Sequence, residues 1–373
     1  MVQYGRIAVI GAGPAGLLTS LFIRNHDVYV FEEHKRVGIP EHCTGLIGVE
    51  TADFFTKILG WKIIDNVFHS IFFHTPKSVF RLYFKKPIAY HIVRPLLEEE
   101  LLDKVYGLGH VVYFGVRVKP DVKPGSFRAG DRSFHVDKII ASDGASSVFR
   151  LKYFGKIKSY IYGVQRLIRT SNVDPYVFHV LYNNYTPRFF QWFVPLDYDI
   201  ALIGYGTTKH IFDPEKIFYK IISKIGVSAG STIKTFGGLI PFDKPLSKPG
   251  FRNKIFFVGD SIPLTKTYTG GGLYGISIYA PVLGRSIDKD NIKELNNYYS
   301  SIRRDFVLEY YLSKLSRTIG YWIPSFIVSK IHEAGLLSEI DYDKHIRLLF
   351  KTLIVAPLLF INIIAFHRKQ LLH

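Results

Sequence analysis

The run Arg6-Ile7-Ala8-Val9-Ile10-Gly11-Ala12-Gly13-Pro14-Ala15-Gly16 limits what the start of this chain can fold into. An apolar strand, glycines spaced G-x-G-x-x-G and a helix opening at Pro14 are followed by a second apolar strand, Val28-Tyr29-Val30-Phe31, that ends on Glu32. In such a βαβ unit the first glycine permits a tight turn, the second lets backbone approach a pyrophosphate, and the third lets the helix pack on the strand. The helix then offers the positive end of its dipole to the phosphates. A carboxylate at position 32 would accept hydrogen bonds from an adenosine ribose. The order predicts a dinucleotide held by Gly11, Gly13, Ala15, Gly16 and Glu32, with Glu33 adjoining.

At 373 residues the chain is long enough for two domains. Hydrophobic residues make up 47% and aromatics 15%, a composition that predicts a greasy cavity or a membrane-facing surface. Lysine and arginine number 48 against 31 acids, a net charge of +17, yet the cations are scattered rather than interleaved with aromatics. That pattern fits an anionic lipid surface, a phosphate-bearing substrate or plain solubility and predicts no nucleic-acid partner. The single cysteine, Cys43, leaves no internal disulfide framework and no cysteine-cluster metal site, so no metal and a reducing, cytoplasmic setting are expected. The glycine-interrupted start does not read as a signal peptide. Residues 352–366 (TLIVAPLLFINIIAF) are apolar and flanked by cations, but 15 residues fall short of the about 20 that a span needs. They are either a docked helix or a peripheral contact with anionic membrane on the inner face of the cell membrane.

The pattern predicts an α/β fold: a nucleotide-binding core at 1–62, 93–158 and 232–290, an inserted, mostly antiparallel aromatic-rich sheet at 63–92 and 159–231, and a helical segment from 291 to 373. Within it, 111–118 reads as one strand, 136–141 as another, and Asp213-Pro214 opens an amphipathic helix.

Two further strand ends carry chemistry. Ile139-Ile140-Ala141-Ser142-Asp143-Gly144 runs into D-G-x-x-S-x-x-R, ending on Arg150. Ile255-Phe256-Phe257-Val258-Gly259-Asp260 is followed ten residues later by Gly270-Gly271-Gly272-Leu273. An aspartate at a strand end can grip sugar or ribitol hydroxyls, and a glycine-rich helix start lets backbone amides approach a ring. In this order, after a dinucleotide fingerprint, the motifs resemble the hydroxylase-type flavoproteins typified by para-hydroxybenzoate hydroxylase. The resemblance implies FAD, contacted also by Asp143, Gly144, Gly259, Asp260, Gly271, Gly272 and Leu273, with a sheet domain over the flavin. Arg94, in Arg94-x-x-Leu97-Glu98-x-x-Leu101, matches that group's R-x-x-F-D-x-x-L helix, whose arginine lies near the flavin; Leu97 and Glu98 replace Phe and Asp.

Phe31-Glu32-Glu33-His34, Gly38, Pro40 and His42-Cys43-Thr44-Gly45-Leu46-Ile47 resemble the E-E-H…G-x-P-x-x-C-x-G-L-I stretch of the geranylgeranyl reductase family. Pro187-x-x-Phe190-x-Trp192-Phe193-Val194-Pro195 resembles its P-x-x-Y-x-W-x-F-P segment, with Phe190 and Val194 replacing Tyr and Phe. The resemblance implies that Phe190, Trp192 and Pro195 line an isoprenoid cavity. Tyr268, beside the glycine triplet, is grouped with them as a substrate contact.

Saturating an isolated alkene needs a hydride on one carbon and a proton on the other. Cys43, also counted with Arg94 among the expected flavin contacts, is the candidate proton donor, with His42 next in line. The expected function is an FAD-dependent reductase of geranylgeranyl chains, supplied by an external donor such as NAD(P)H or reduced ferredoxin. Two other readings share the flavin motifs: a flavin monooxygenase, and a membrane-associated flavoprotein passing electrons to an isoprenoid quinone.

Overall fold

The computed structural model describes residues 5–76, 78–183, 185–186, 189–209, 211, 213–319 and 341–344. The apolar segment 352–366 and Pro187 lie outside the described residues. By internal contacts the chain divides into two units: Met1–Asp65, Ile92–Ile161 and Gly237–Tyr310 form the first, and Asn66–His91, Tyr162–Phe236 and Tyr311–His373 the second.

The first unit is built on a six-stranded sheet in the order Gly250–Phe251, Ile255–Phe257, Lys138–Ala141, Arg6–Ile10, Asp27–Glu32, Val111–Phe114. All neighbours run parallel except the terminal pair Gly250–Phe251 and Ile255–Phe257. Parallel strands covered on both faces read as unbroken apolar runs. Ile7-Ala8-Val9, Ile139-Ile140-Ala141 and Ile255-Phe256-Phe257 are accordingly all buried. The helix Pro14–Leu21 packs against Leu273–Asp288 and Arg94–Gly107. Its close approach to Leu273–Asp288 depends on Gly284, where an added Cβ would lie 2.6 Å from the Thr19 carbonyl oxygen.

Two sequence expectations need correction. The stretch 111–118 is not one strand: it breaks after Phe114, where Gly115 takes φ +71° and the Gly115 and Val116 amides turn to the carbonyls of His34 and Glu32. The strand expected from 136 begins at Lys138, because the preceding main chain is drawn off by Val136 N–H to Gly125 O and Asp137 N–H to Arg6 O.

The second unit carries a seven-stranded sheet in the order Ser228–Pro241, Tyr160–Ser171, Ile200–Thr207, Gln191–Pro195, Val177–Leu181, Ser70–His74, Val79–Tyr83. It is antiparallel at most junctions, but Val177–Leu181 and Ser70–His74 pair in parallel. A parallel pair needs a long crossover, and here these strands are separated by the whole of Ile92–Ile161. One face of the sheet packs Phe193, Ile203 and Tyr205 against Ile217, Phe218 and Ile221 of the helix Pro214–Ile225, whose N-terminus is capped by Asp213 accepting the Lys216 N–H at 3.0 Å. Among the described residues no helix is long and apolar enough to cross a membrane.

Candidate functional site

At the carboxyl end of Arg6–Ile10 the three fingerprint glycines divide their work as the spacing demands. Gly11 turns with φ +99°, and a Cβ there would sit 2.6 Å from the Ser142 carbonyl oxygen. At Gly16 a Cβ would lie 2.1 Å from the Gly11 carbonyl oxygen and 2.6 Å from Ser142 Oγ, so helix and strand meet only without a side chain. Gly13 has nothing within 4 Å of an added Cβ: the backbone there is open to an approaching group. Ser142 holds the turn from the neighbouring strand, donating to the carbonyls of Ile10 (2.8 Å) and Gly11 (3.0 Å).

Glu32 is 8% exposed. One oxygen accepts Ala12 N–H at 2.8 Å; the other contacts the His34 N–H (2.9 Å) and His34 Nδ1 (2.7 Å). A carboxylate has about four acceptor directions, so room remains for a ligand hydroxyl. Glu33 turns instead to the surface, 3.4 Å from Arg117.

The Asp143-Gly144 strand end has two parts. Asp143 accepts from Ser147 Oγ (2.6 Å) and Phe149 N–H (3.3 Å), holding the start of helix Val148–Phe154, and burial raises its pKa. Gly144 is open, with φ +71° and nothing within 4 Å of an added Cβ. Arg150 at the end of the motif is buried in an ion pair with Asp243 at 3.2 Å.

The third strand end meets the first directly: a Cβ on Gly259 would lie 2.8 Å from that of Ala15. Asp260 accepts from Thr265 Oγ1 at 3.2 Å. Burial raises its pKa, opposed by the Thr265 hydrogen bond and by the Arg94 charge. The loop then folds back through Lys266 N–H to Gly271 O (2.9 Å) and Gly270 N–H to Lys266 O (2.7 Å), placing Gly272 3.4 Å from Asp260 Oδ1, measured from an added Cβ. Neither helix that opens here, Pro14–Leu21 or Leu273–Asp288, has a side chain capping its first amides. Helix starts of this kind suit an anionic, hydrogen-bonding ligand. Two open glycines, two helix starts without side-chain caps and three strand-end carboxylates fit a bound FAD.

The cysteine loop joins the same unit. Gly38 N–H donates to Glu98 Oε2 at 2.7 Å, and Ile92 N–H donates to Gly45 O at 2.8 Å. Cys43 Sγ accepts Gly45 N–H at 3.3 Å and lies in hydrogen-bond contact with the Arg94 guanidinium. Arg94 also hydrogen bonds Glu98 one turn along its helix. Burial alone would lower the Arg94 pKa, but the Glu98 carboxylate and Cys43 more than offset it and hold the guanidinium charged. His42 points elsewhere, its Nδ1 2.7 Å from the Gly237 carbonyl oxygen. The motif comparison names Glu98 but gives it no role, and Thr265 and Lys266 carry no motif signal. For Glu98 a signal existed, a carboxylate four residues after Arg94; Lys266 offered only a lysine within a threonine- and glycine-rich loop.

The aromatic residues lie in the second unit. Trp192 is opposite Gly204 on the adjacent strand, and a Cβ on Gly204 would lie 2.4 Å from the indole ring. Trp192 is 8% exposed, with Phe190 edge-on at 5.9 Å between ring centres and Phe189 stacked on Phe190 at 4.2 Å. Pro195 is buried at the end of that strand, its carbonyl accepting from Asn66 Nδ2 at 2.9 Å. Tyr268 belongs to the first unit, its N–H donating to the buried Glu309 at 3.1 Å. Among the described residues there is no cluster of three potential metal ligands.

No protein-family model matches the chain. It is 24% identical to an uncharacterized protein of Methanocaldococcus jannaschii over 93% of this chain and 94% of that protein. It is also 24% identical to the chloroplastic geranylgeranyl diphosphate reductase of Nicotiana tabacum, over 87% of this chain and 73% of the relative. Among solved structures, a geranylgeranyl bacteriochlorophyll reductase-like protein from Thermoplasma acidophilum superposes with a TM-score of 0.77 at 16% identity, covering 94% of this chain and 96% of that one. The flavin-dependent halogenase CmlS follows with a TM-score of 0.62 at 16% identity, covering 83% and 64%. The chain has the fold of the hydroxylase-type FAD-binding flavoproteins and, among them, resembles the geranylgeranyl reductases.

Proposed function

We propose that this protein is an FAD-dependent reductase that saturates double bonds of geranylgeranyl chains on membrane-lipid precursors. The observation that carries the reading is the placement of Cys43. The chain's one thiol sits on a loop pinned to helix Arg94–Gly107, in the unit that holds the dinucleotide cradle, and within the stretch that resembles the geranylgeranyl reductases.

Gly11, Gly13 and the first amides of Pro14–Leu21 would take the pyrophosphate, Glu32 the ribose, and the glycine triplet the ring. FAD, when bound, supplies the hydride for one alkene carbon. Cys43 delivers the proton to the other. Sγ accepts from Gly45 N–H and contacts the Arg94 guanidinium, and these two contacts hold the sulfur in place on its loop. The aromatic cluster of Phe189, Phe190 and Trp192 offers apolar faces for a prenyl chain. The electrons come from an external donor, NAD(P)H or reduced ferredoxin.

The test begins with acid denaturation, which should release FAD; release of no flavin, or of FMN alone, overturns the reading. The protein is then reduced with dithionite without oxygen and given a geranylgeranyl lipid. Product masses should rise in steps of two hydrogens. Unchanged lipid, with rapid reoxidation by oxygen accompanied by substrate hydroxylation or by a quinone, would assign the protein to another flavin chemistry.

A further inference from the structure

Lysine is rarely buried unless its charge is used, and Lys266 is only 3% exposed. Its side chain runs along the glycine triplet: a Cβ placed on Gly271 would meet Lys266 Cε at 2.9 Å and Nζ at 3.6 Å. Its main chain is fastened on both sides by the bonds to Gly271 and Gly270. The amine is 5.7 Å from the centre of the Tyr274 ring, in the first turn of Leu273–Asp288. That helix start has no side-chain cap. A cation and a helix start without a side-chain cap therefore meet on one short stretch of bare backbone. Both favour a ligand that is negative, or becomes so.

We infer that Lys266 is an electrostatic element of the flavin site, selectively stabilising the ring in its reduced, negatively charged state. The inference rests on the proposed FAD function and deepens it. Two electrons and one proton would convert the neutral oxidised isoalloxazine into a reduced ring with one net negative charge. A fixed cation beside the glycine triplet lowers the energy of that charge and hardly affects the neutral oxidised ring, which raises the reduction potential. Lys266 thus sets how readily the protein accepts electrons from its donor. The competing role is structural: Glu309, 5% exposed, accepts the Tyr268 N–H two residues from Lys266 and could neutralise the lysine within the fold.

The experiment is an anaerobic spectroelectrochemical titration of wild-type holoprotein and of Lys266→Met, Lys266→Gln and Lys266→Arg, with thermal unfolding of each. The expected result is a more negative midpoint potential in Lys266→Met and Lys266→Gln and a near-wild-type potential in Lys266→Arg. Affinity should fall about tenfold more for reduced than for oxidised FAD, a difference of about 1.4 kcal/mol. Folded Met and Gln variants with the wild-type potential and only a lower Tm would overturn the inference in favour of pairing with Glu309. Equal loss of affinity for both redox states would overturn it as well. If Lys266→Met does not fold, Lys266→Gln, close in shape and able to hydrogen bond, is judged by the same criteria. A wild-type chain without FAD would defeat the proposed function, whereas a wild-type potential in the variants would defeat only the role of Lys266.

Discussion

Glu98 accepts the Gly38 N–H at 2.7 Å, a bond between residues 60 positions apart that ties the cysteine loop to the first turns of helix Arg94–Gly107. The other Glu98 oxygen takes the Arg94 guanidinium, which in turn contacts Cys43. One buried carboxylate thus sets both the loop's path and the cation beside its thiol. Gly38 has φ +73°, and a Cβ there would lie 2.8 Å from Pro95 Cα, so the loop comes as close to the helix as backbone allows.

Glu98→Ala is expected to release this loop and to leave Arg94 without its charge partner, costing about 3 kcal/mol of stability as for other largely buried pairs. Because Cys43 is the one thiol in the chain, its rate of maleimide labelling reads the loop directly. Labelling should change in Glu98→Ala and return toward wild type in Glu98→Asp. Unchanged labelling in a folded variant would show that the bond to Gly38 does not position the thiol.

Cys43→Ser nearly preserves size while replacing the thiol with a far weaker acid. FAD content and the oxidised spectrum should stay normal, because serine can keep the contacts that Sγ makes to Gly45 N–H and Arg94. Reoxidation of the reduced protein by geranylgeranyl lipid should slow by about 10²–10⁴, the usual range for a general-acid contribution. Stopped-flow absorbance without oxygen measures it. A wild-type rate would move the proton source to His42 or to a bound water.

Trp192 lies flat over Gly204, and its ring has nowhere to retreat from a Cβ 2.4 Å away. Gly204→Ala should therefore destabilise the protein by about 1–3 kcal/mol through overpacking. Trp192→Ala opens space instead. If Trp192 holds the prenyl chain, that variant loses lipid turnover with its flavin spectrum intact. Flavin loss or global unfolding would make it a core residue only.

The first unit was largely legible because each motif combines a periodic strand with a glycine whose absent side chain the packing requires. Gly11, Gly16 and Gly259 are cases where a Cβ would collide with backbone or with Ala15. The Asp213-Pro214 helix start was legible for a similar local reason, a cap before a fixed φ. The break after Phe114 was not, since Gly115 and Val116 turn away to reach carbonyls at 34 and 32, some 80 residues earlier. The roles of Glu98, seen in the sequence only as a motif substitution, and of Lys266 were not legible, because nothing local says whether a charged side chain is buried or solvated. Their roles come from Gly38 and Gly271, which only the fold brings near.

His74 and His179 provide the clearest pH dependence. His74 Nε2 lies 2.9 Å from His179 Nδ1, the rings stacked at 5.1 Å, and His74 Nδ1 is buried without a hydrogen-bond partner among the described residues. Between the rings one nitrogen donates and one accepts; protonating both would bring two donors head-on. Burial, with the charges of Lys224 and Arg81, lowers His74 from 6.5 to about 4, and burial with His74 lowers His179 from 6.5 to about 3. Above pH 6.5 both imidazoles are neutral folded or unfolded, so they add nothing to pH dependence. Between pH 6.5 and about 4 the unfolded chain binds protons that the folded chain refuses, and stability falls as the pH falls. By pH 5 His74 alone should cost about 2 kcal/mol. Urea unfolding followed by tryptophan fluorescence should show the midpoint dropping between pH 7.5 and 5, with a shallower drop in His74→Phe, which titrates no proton at that position. An equal slope in wild type and variant would mean that other groups carry the acid sensitivity.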